Sequence, residues 1–162
     1  MGCDIHIYLE SKKKINGEER WVNVDHWQIN PYFNNENSDW DGEKEFEHVP
    51  VYFGRNYELF GILAGVRDNS MTPIDDPRGI PNDISDVTRK EHEQWKQDAH
   101  SATYFTLDEL LDFYQKKKKH QETLDYFLNG IKERFYREFF LIPEERNKDF
   151  EKKFRVIFWF DN

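Results

Sequence analysis

Cysteine is nearly absent from this chain, and so are features that would direct it to a membrane. With Cys3 as its one cysteine, the chain cannot form an internal disulfide, which favours a reducing, cytoplasmic environment. No hydrophobic run approaches the roughly 20 residues that a membrane helix requires, and no charged-then-apolar signal segment opens the sequence. We therefore expect a cytoplasmic protein with no membrane partner.

Positive charge is also scarce. The 23 lysines and arginines are outnumbered by 32 acidic residues, so the formal net charge is −9. This balance disfavours binding to long nucleic acids, because most of the surface repels phosphate. A phosphate-bearing ligand would need a local group of arginines.

Aromatic residues, in contrast, are abundant at 17% of the chain. A length of 162 residues with this aromatic content predicts one globular domain that spans residues 1–162 and has a packed interior. An oligomeric assembly is left open.

The opening stretch MGCDIHIYLE alternates between apolar and titratable side chains. As a β-strand it places Asp4, His6, Tyr8 and Glu10 on one face and Cys3, Ile5, Ile7 and Leu9 on the other. Asn16-Gly17 is a strong hairpin signal, and a second strand is predicted from Arg20 to Trp27. The residues from Gln28 to Val49 are interpreted as a long surface loop.

The rest of the chain predicts about four helices and a last strand. Asn56 and Gly65 are expected to cap a first helix, a second is expected from Ser85 to about Gln97, and a third at the Thr106 capping box. The longest helix is expected from about Gln121 to Phe140 and to end at Pro143. FRVIFWF is typical of a strand buried on both faces. The predicted class is α+β, with a small central sheet made of the N-terminal hairpin and the C-terminal strand.

The spacing Asp-x-His occurs twice, as Asp4-Ile5-His6 and as Asp98-Ala99-His100. In an extended segment this spacing directs the carboxylate and the imidazole to one side. Asp4, His6, Asp98 and His100 could together bind a divalent metal ion. Alternatively, His6 and His100 act as general base and acid, each oriented by its carboxylate. A purely structural role of both histidines is the third interpretation.

Three arginines lie in segments predicted to be irregular. Arg55 precedes a helix N-terminus, Arg67 follows the same helix, and Arg78 lies in a proline-rich loop. Arginine suits phosphate because it can donate two parallel hydrogen bonds. The alternative is that each arginine pairs with a neighbouring aspartate. His26, His48, His92 and His120 are interpreted as surface residues, and Cys3 as a buried thiol.

Several stretches resemble a family of small bacteriophage and bacterial proteins that begin with GCDIH. The matching pieces are MGCDIH, RNYELFGILAGVR at 55–67, PIDDPRGIP at 73–81, DAHS at 98–101 and the final WFDN. The resemblance groups the polar residues of these pieces into one candidate site: Asp4, His6, Arg55, Asn56, Tyr57, Arg67, Arg78, His100, Ser101 and Asp161. It also implies a role in the cytoplasm of a phage-infected host cell.

These observations lead to three hypotheses for function. The first is a hydrolase of a nucleotide phosphodiester, such as a cyclic signalling nucleotide of host defence, whose base stacks on Tyr57, Tyr104 or Trp40. The second is a non-catalytic protein that sequesters the nucleotide. The third is an acidic protein that blocks a host factor.

Overall fold

The computed structural model describes residues 2–33, 44–117, 119–139 and 148–162. Its elements in chain order are β1 (Asp4–Ile15), β2 (Glu18–Asn23), β3 (His26–Ile29), β4 (Phe46–Val49), α1 (Tyr57–Ala64), α2 (Asp86–Trp95), β5 (His100–Thr106), α3 (Leu107–Lys116), α4 (Gln121–Phe139), α5 (Lys148–Glu151) and β6 (Phe154–Asp161). The α+β class predicted from the sequence is confirmed. Trp40 and Pro143, to which the sequence analysis assigned roles, lie outside the described residues.

A four-stranded antiparallel sheet in the order β2-β1-β6-β5 forms the centre of the fold. The first and last strands of the chain are therefore neighbours, as the sequence predicts. Their register pairs Asp4 with Asp161 and His6 with Trp159. The antiparallel direction, which the sequence left open, brings the Asp161 side chain beside the polar start of β1.

The two faces of this sheet have different character. One face, here called the core face, carries Ile7, Leu9 and Phe158, which are buried against helices α1, α3 and α4. The other, here called the polar face, carries Asp4, His6, Tyr8 and Glu10 of β1 with their β6 neighbours. The alternation predicted from MGCDIHIYLE is confirmed, but the polar face is covered, since Tyr8 and Trp159 are buried in a second, smaller apolar cluster.

A buried ion pair connects β1 and β6 on the polar face. The Arg155 guanidinium donates two hydrogen bonds to Glu10 Oε2, at 2.9 and 2.7 Å, and both side chains are almost fully buried. Arg155 also donates to Asp83 Oδ1 at 2.7 Å and lies against the Trp21 ring. Glu10 in turn accepts from the backbone N–H of Ser85, so the network holds the start of α2 against the sheet.

The chain departs from the sequence prediction between residues 20 and 49. The expected strand from Arg20 to Trp27 is interrupted after Asn23, where the Asp25 carboxylate accepts the backbone N–H of Leu9 at 3.0 Å in place of a strand carbonyl. Two segments of the expected loop from Gln28 to Val49 are strands, because the end of β3 pairs with β4. The strand β5 was not predicted.

Local capping signals in the sequence are confirmed. The Asn56 side chain accepts from Leu59 N, and Gly65 ends α1 in the left-handed conformation. Ser85 caps α2, and Glu109 accepts from the backbone N–H of Thr106 at the start of α3. Across the described ranges, no helix is both long enough and apolar enough to cross a membrane.

Candidate functional site

A cleft of about 760 Å³ opens at the start of β1, on the polar face of the sheet. Strand β1 provides Asp4, His6 and Tyr8, and the end of β6 provides Asp161. The rest of the lining consists of His48 from β4, residues of the segment 50–55, and Trp95 at the end of α2.

His6 is held between a carboxylate and two indole rings. Its Nε2 lies 3.3 Å from Asp161 Oδ2, close enough for an ion pair although the two groups are not aligned for a hydrogen bond. Asp161 is itself oriented, because its Oδ1 accepts the backbone N–H of Asp4 at 3.1 Å. The imidazole centroid is 4.0 Å from the Trp95 ring and 5.9 Å from that of Trp159. These contacts restrict the imidazole to one orientation.

His48 repeats this arrangement elsewhere in the cleft lining. Its Nε2 lies 3.3 Å from Oδ1 of Asp25, whose side chain is completely buried. The other oxygen of Asp25 accepts from Leu9 N at 3.0 Å and from Asn23 Nδ2 at 2.7 Å. The His48 ring stacks on Tyr8 with a centroid distance of 4.3 Å. The cleft therefore contains two imidazoles, each beside a fixed carboxylate.

Both imidazoles use the same nitrogen for this contact. The Nε2 of His6 and of His48 is buried and faces its carboxylate. Neither Nδ1 forms a hydrogen bond with a described residue, so this nitrogen is left for a ligand. A carboxylate beside one ring nitrogen favours the tautomer that carries its proton there, which makes the other nitrogen a proton acceptor.

Tyr8 separates the two histidines and is held as a neutral phenol. Its hydroxyl donates to Glu91 Oε2 at 3.1 Å, and Glu91 Oε1 pairs with Lys44 Nζ. Burial, together with the charge of Glu91, raises the pKa of Tyr8 far above its ordinary value. The Tyr8 ring also stacks on Trp159, so it is a rigid spacer and not a titrating group at neutral pH.

Arg55 lies at the cleft mouth and forms a bidentate pair with Asp4. Its Nε and second terminal nitrogen lie 2.6 and 2.7 Å from the two carboxylate oxygens. The hydrogen bond from Arg55 lowers the pKa of Asp4. The guanidinium packs over Gly2, where an added Cβ would be only 2.3 Å from a terminal nitrogen. Glycine at position 2 thus makes room for this pair.

The wall at 50–55 is positioned by a close helix contact and carries an exposed aromatic ring. At Gly130 of α4, an added Cβ would lie 2.6 Å from the carbonyl oxygen of Val51, so only glycine admits this approach. Beyond Val51, Tyr52 is buried, whereas Phe53 is 87% exposed at the cleft. An aromatic side chain this exposed beside a cleft is a surface on which a planar ligand group can stack.

The structure does not bring His100 to His6. His100 pairs with Phe160 and stacks on its ring, which places it on the core face, whereas His6 lies on the polar face. The cause is a β-bulge: two residues of β5 lie between His100 and Thr103, while only one residue of β6 lies between their partners. Ser101, within the bulge, has a φ of +50°. A regular strand would have directed His100 to the polar face.

The four residues proposed to bind a metal are therefore not assembled into one site. The side chain of Asp98 makes no hydrogen bond or ion pair with a described residue, and its backbone N–H donates to Trp95 O. In the parts of the chain that the structure describes, no group of three or more histidine, cysteine or acidic side chains is arranged to hold a metal ion. The divalent-metal hypothesis thus has no donor set in these residues.

The residues expected to bind the ligand are dispersed. Arg55 and Asp161 lie in the cleft. Arg67 donates to Asn162 at the end of the chain, and Arg78 pairs with Asp75 and Glu109 beside α3.

Three further predicted ligand residues have local roles. Asn56 caps α1, and the Tyr57 ring contacts Phe60. Ser101 contacts the neighbouring His100, with 3.1 Å between its Oγ and Nδ1 of the ring.

Sequence reasoning missed His48 and Asp25. His48 was interpreted as a surface residue, but its side chain is only 13% exposed. The order apolar, polar, polar, apolar in Phe46-Glu47-His48-Val49 does not alternate, so the sequence offered no clear signal for a strand there. His92 and His120, also interpreted as surface residues, are half-buried: His92 packs edge-on against Trp159, and His120 pairs with Glu58. His26 is exposed, as expected.

No protein-family model, curated protein or solved structure matches this chain. The arrangement of the cleft is therefore the basis for the functional proposal.

Proposed function

We propose that this protein is a small hydrolase that cleaves a nucleotide-type phosphodiester in the cleft, with His6 and His48 as its acid–base pair. The observation that carries the proposal is the presence of two imidazoles in one cleft, each with its Nε2 beside a carboxylate and its Nδ1 without a described partner. General acid–base catalysis needs two such groups that can be in opposite protonation states near neutral pH.

The chemistry is a single displacement at phosphorus. One histidine takes a proton from a water molecule as the water oxygen bonds to phosphorus. The other histidine gives a proton to the leaving oxygen as its bond to phosphorus breaks. Asp161 and Asp25 are positioning residues, because each carboxylate lies 3.3 Å from the Nε2 of one imidazole.

The lining of the cleft supports a nucleotide as the ligand. Phe53 and Trp95 offer aromatic faces on which a base can stack, and Arg55 offers a bidentate donor for phosphate. A volume of about 760 Å³ is in the range of small-molecule sites. The resemblance to phage proteins supports a cyclic signalling nucleotide of host defence in the host cytoplasm, a context that rests on that resemblance alone.

The test is to incubate the purified protein with a panel of linear and cyclic nucleotides, with and without a chelator, and to measure the small-molecule masses after the protein is removed. We expect a cleaved product that persists with the chelator. His6→Gln and His48→Gln should each lower the rate by about 10²-fold or more. His26→Gln, which changes an exposed histidine, is the matched control and should stay within about twofold of the parent protein.

Sequestration without cleavage is the second candidate, favoured by the aromatic walls, which bind a base without any chemistry. In that case, the nucleotide is recovered intact after heat denaturation, and its affinity is nearly the same in both histidine variants. If no nucleotide is depleted, both proposals are wrong, and the acidic surface becomes the basis for a protein that blocks a host factor.

A further inference from the structure

We propose that Asp4 is an internal competitor for the phosphate of the ligand, and that this phosphate displaces Asp4 from Arg55 when the cleft is filled. The identity of the ligand rests on the proposed function. The exchange itself is an inference from the geometry of the Asp4–Arg55 pair at the cleft mouth.

The bonds of this pair are those that a phosphate would make. A carboxylate and a phosphate both present two oxygens at the spacing of the guanidinium donors. Arg55 uses Nε and one terminal nitrogen for Asp4, at 2.6 and 2.7 Å. A ligand phosphate that accepts hydrogen bonds from these two donors therefore replaces both hydrogen bonds to Asp4.

The exchange is energetically accessible because both partners are about half exposed. The side chains of Arg55 and Asp4 retain 55% and 46% of their exposure. Exposed ion pairs contribute little net stability, so releasing Asp4 to water has a small cost. In contrast, the buried Arg155–Glu10 pair could not be opened in this way, since it would leave a charge unpaired in the interior.

The backbone at Gly2 leaves room for the guanidinium. It lies over Gly2, where a Cβ would come within 2.3 to 3.0 Å of three guanidinium atoms. Arg55 is followed by Asn56, the N-cap of α1, so the backbone of Arg55 is positioned by the start of this helix.

The experiment measures the binding of inorganic phosphate by ³¹P NMR at constant ionic strength. Asp4→Asn should tighten the dissociation constant by about threefold or more, because it removes the competing charge. The matched control is Glu18→Gln, which makes the same charge change in an exposed pair with Arg20 and should have less than half this effect. Arg55→Gln in the Asp4→Asn background should abolish the gain.

A second variant keeps the charge of Arg55 and changes only the space available to its guanidinium. Gly2→Ala should weaken phosphate binding in the Asp4→Asn background, since the new Cβ occupies the space of the guanidinium. Circular dichroism of each variant verifies the fold. Unchanged or weaker phosphate binding in Asp4→Asn overturns the inference, and so does a gain that survives Arg55→Gln. Nucleotide turnover is measured separately, so its absence would count against the proposed function and not against this exchange.

Discussion

The Nε2 atom of His6 lies 3.3 Å from Oδ2 of Asp161, although these residues come from the first and last strands of the chain. The contact exists because β1 and β6 are adjacent and antiparallel, with Asp4 opposite Asp161. His48 and Asp25 repeat it at the same distance, with His48 also lining the cleft. The fold thus builds two equivalent imidazole–carboxylate pairs from four separate segments.

Replacing Asp161 by asparagine should change the tautomer of His6. The carboxylate beside Nε2 favours a neutral imidazole with its proton on that nitrogen, and an uncharged amide removes most of that preference. Long-range ¹H–¹⁵N NMR of the histidine rings measures the tautomer directly, without a substrate. Once a substrate is known, turnover should fall by about tenfold or more. An unchanged His6 spectrum in the variant would contradict the positioning role, and the His48 signals are the internal control.

The buried pair of Glu10 and Arg155 should show strong coupling in a double-mutant cycle. Arg155→Met leaves the Glu10 carboxylate buried without its partner, which should lower the free energy of unfolding by about 3–5 kcal/mol. Glu10→Leu combined with Arg155→Met should cost much less than the sum of the two single changes, because neither charge is then left behind. Urea denaturation provides these values.

Asp83→Asn serves as the control for this cycle. Asp83 pairs with the same guanidinium, but its side chain is 65% exposed, so its loss should cost about 1 kcal/mol or less. Additive costs of Glu10→Leu and Arg155→Met would show that the pair is not coupled.

His92 should make the protein less stable as the pH falls. Burial against Trp159 lowers the pKa of His92 in the folded state. Histidine has an ordinary pKa of about 6.5. Below that pH, His92 therefore binds a proton in the unfolded chain more readily than in the folded protein, and the free energy of unfolding decreases. This contribution is present at pH 7 and above and is lost progressively on acidification. Thermal or urea unfolding between pH 7.5 and 5 measures it.

The variant His92→Gln isolates this effect. Glutamine does not titrate, so the variant should lose less stability between pH 7.5 and 5 than the parent protein, although its stability at pH 7.5 should be lower because the ring contact with Trp159 is gone. His26→Gln changes an exposed histidine and should leave the pH dependence nearly as it is. Parallel pH profiles for the parent protein and His92→Gln would contradict the assignment.

Features that depend on residues close together in the sequence could be predicted from the sequence alone. The alternation in MGCDIHIYLE correctly separates the buried Ile7 and Leu9 from the polar residues of β1, because successive side chains of a strand point to opposite faces. Asn56, Ser85 and Gly65 mark helix ends through hydrogen bonds and backbone angles within a few residues. The apolar run FRVIFWF is a strand covered on both faces, as its composition indicates.

The candidate site depended on relationships that no local pattern contains. The repeated Asp-x-His suggested that His6 and His100 act together, but one extra residue in the bulge at Ser101 turns His100 to the core face. The second imidazole comes instead from His48, in a stretch that the sequence predicts as loop, and no local pattern marks Asp25 as its buried partner. The side chains that share a cleft are determined by which strands are adjacent, by the register of those strands and by their bulges. These properties arise only when distant segments pack together.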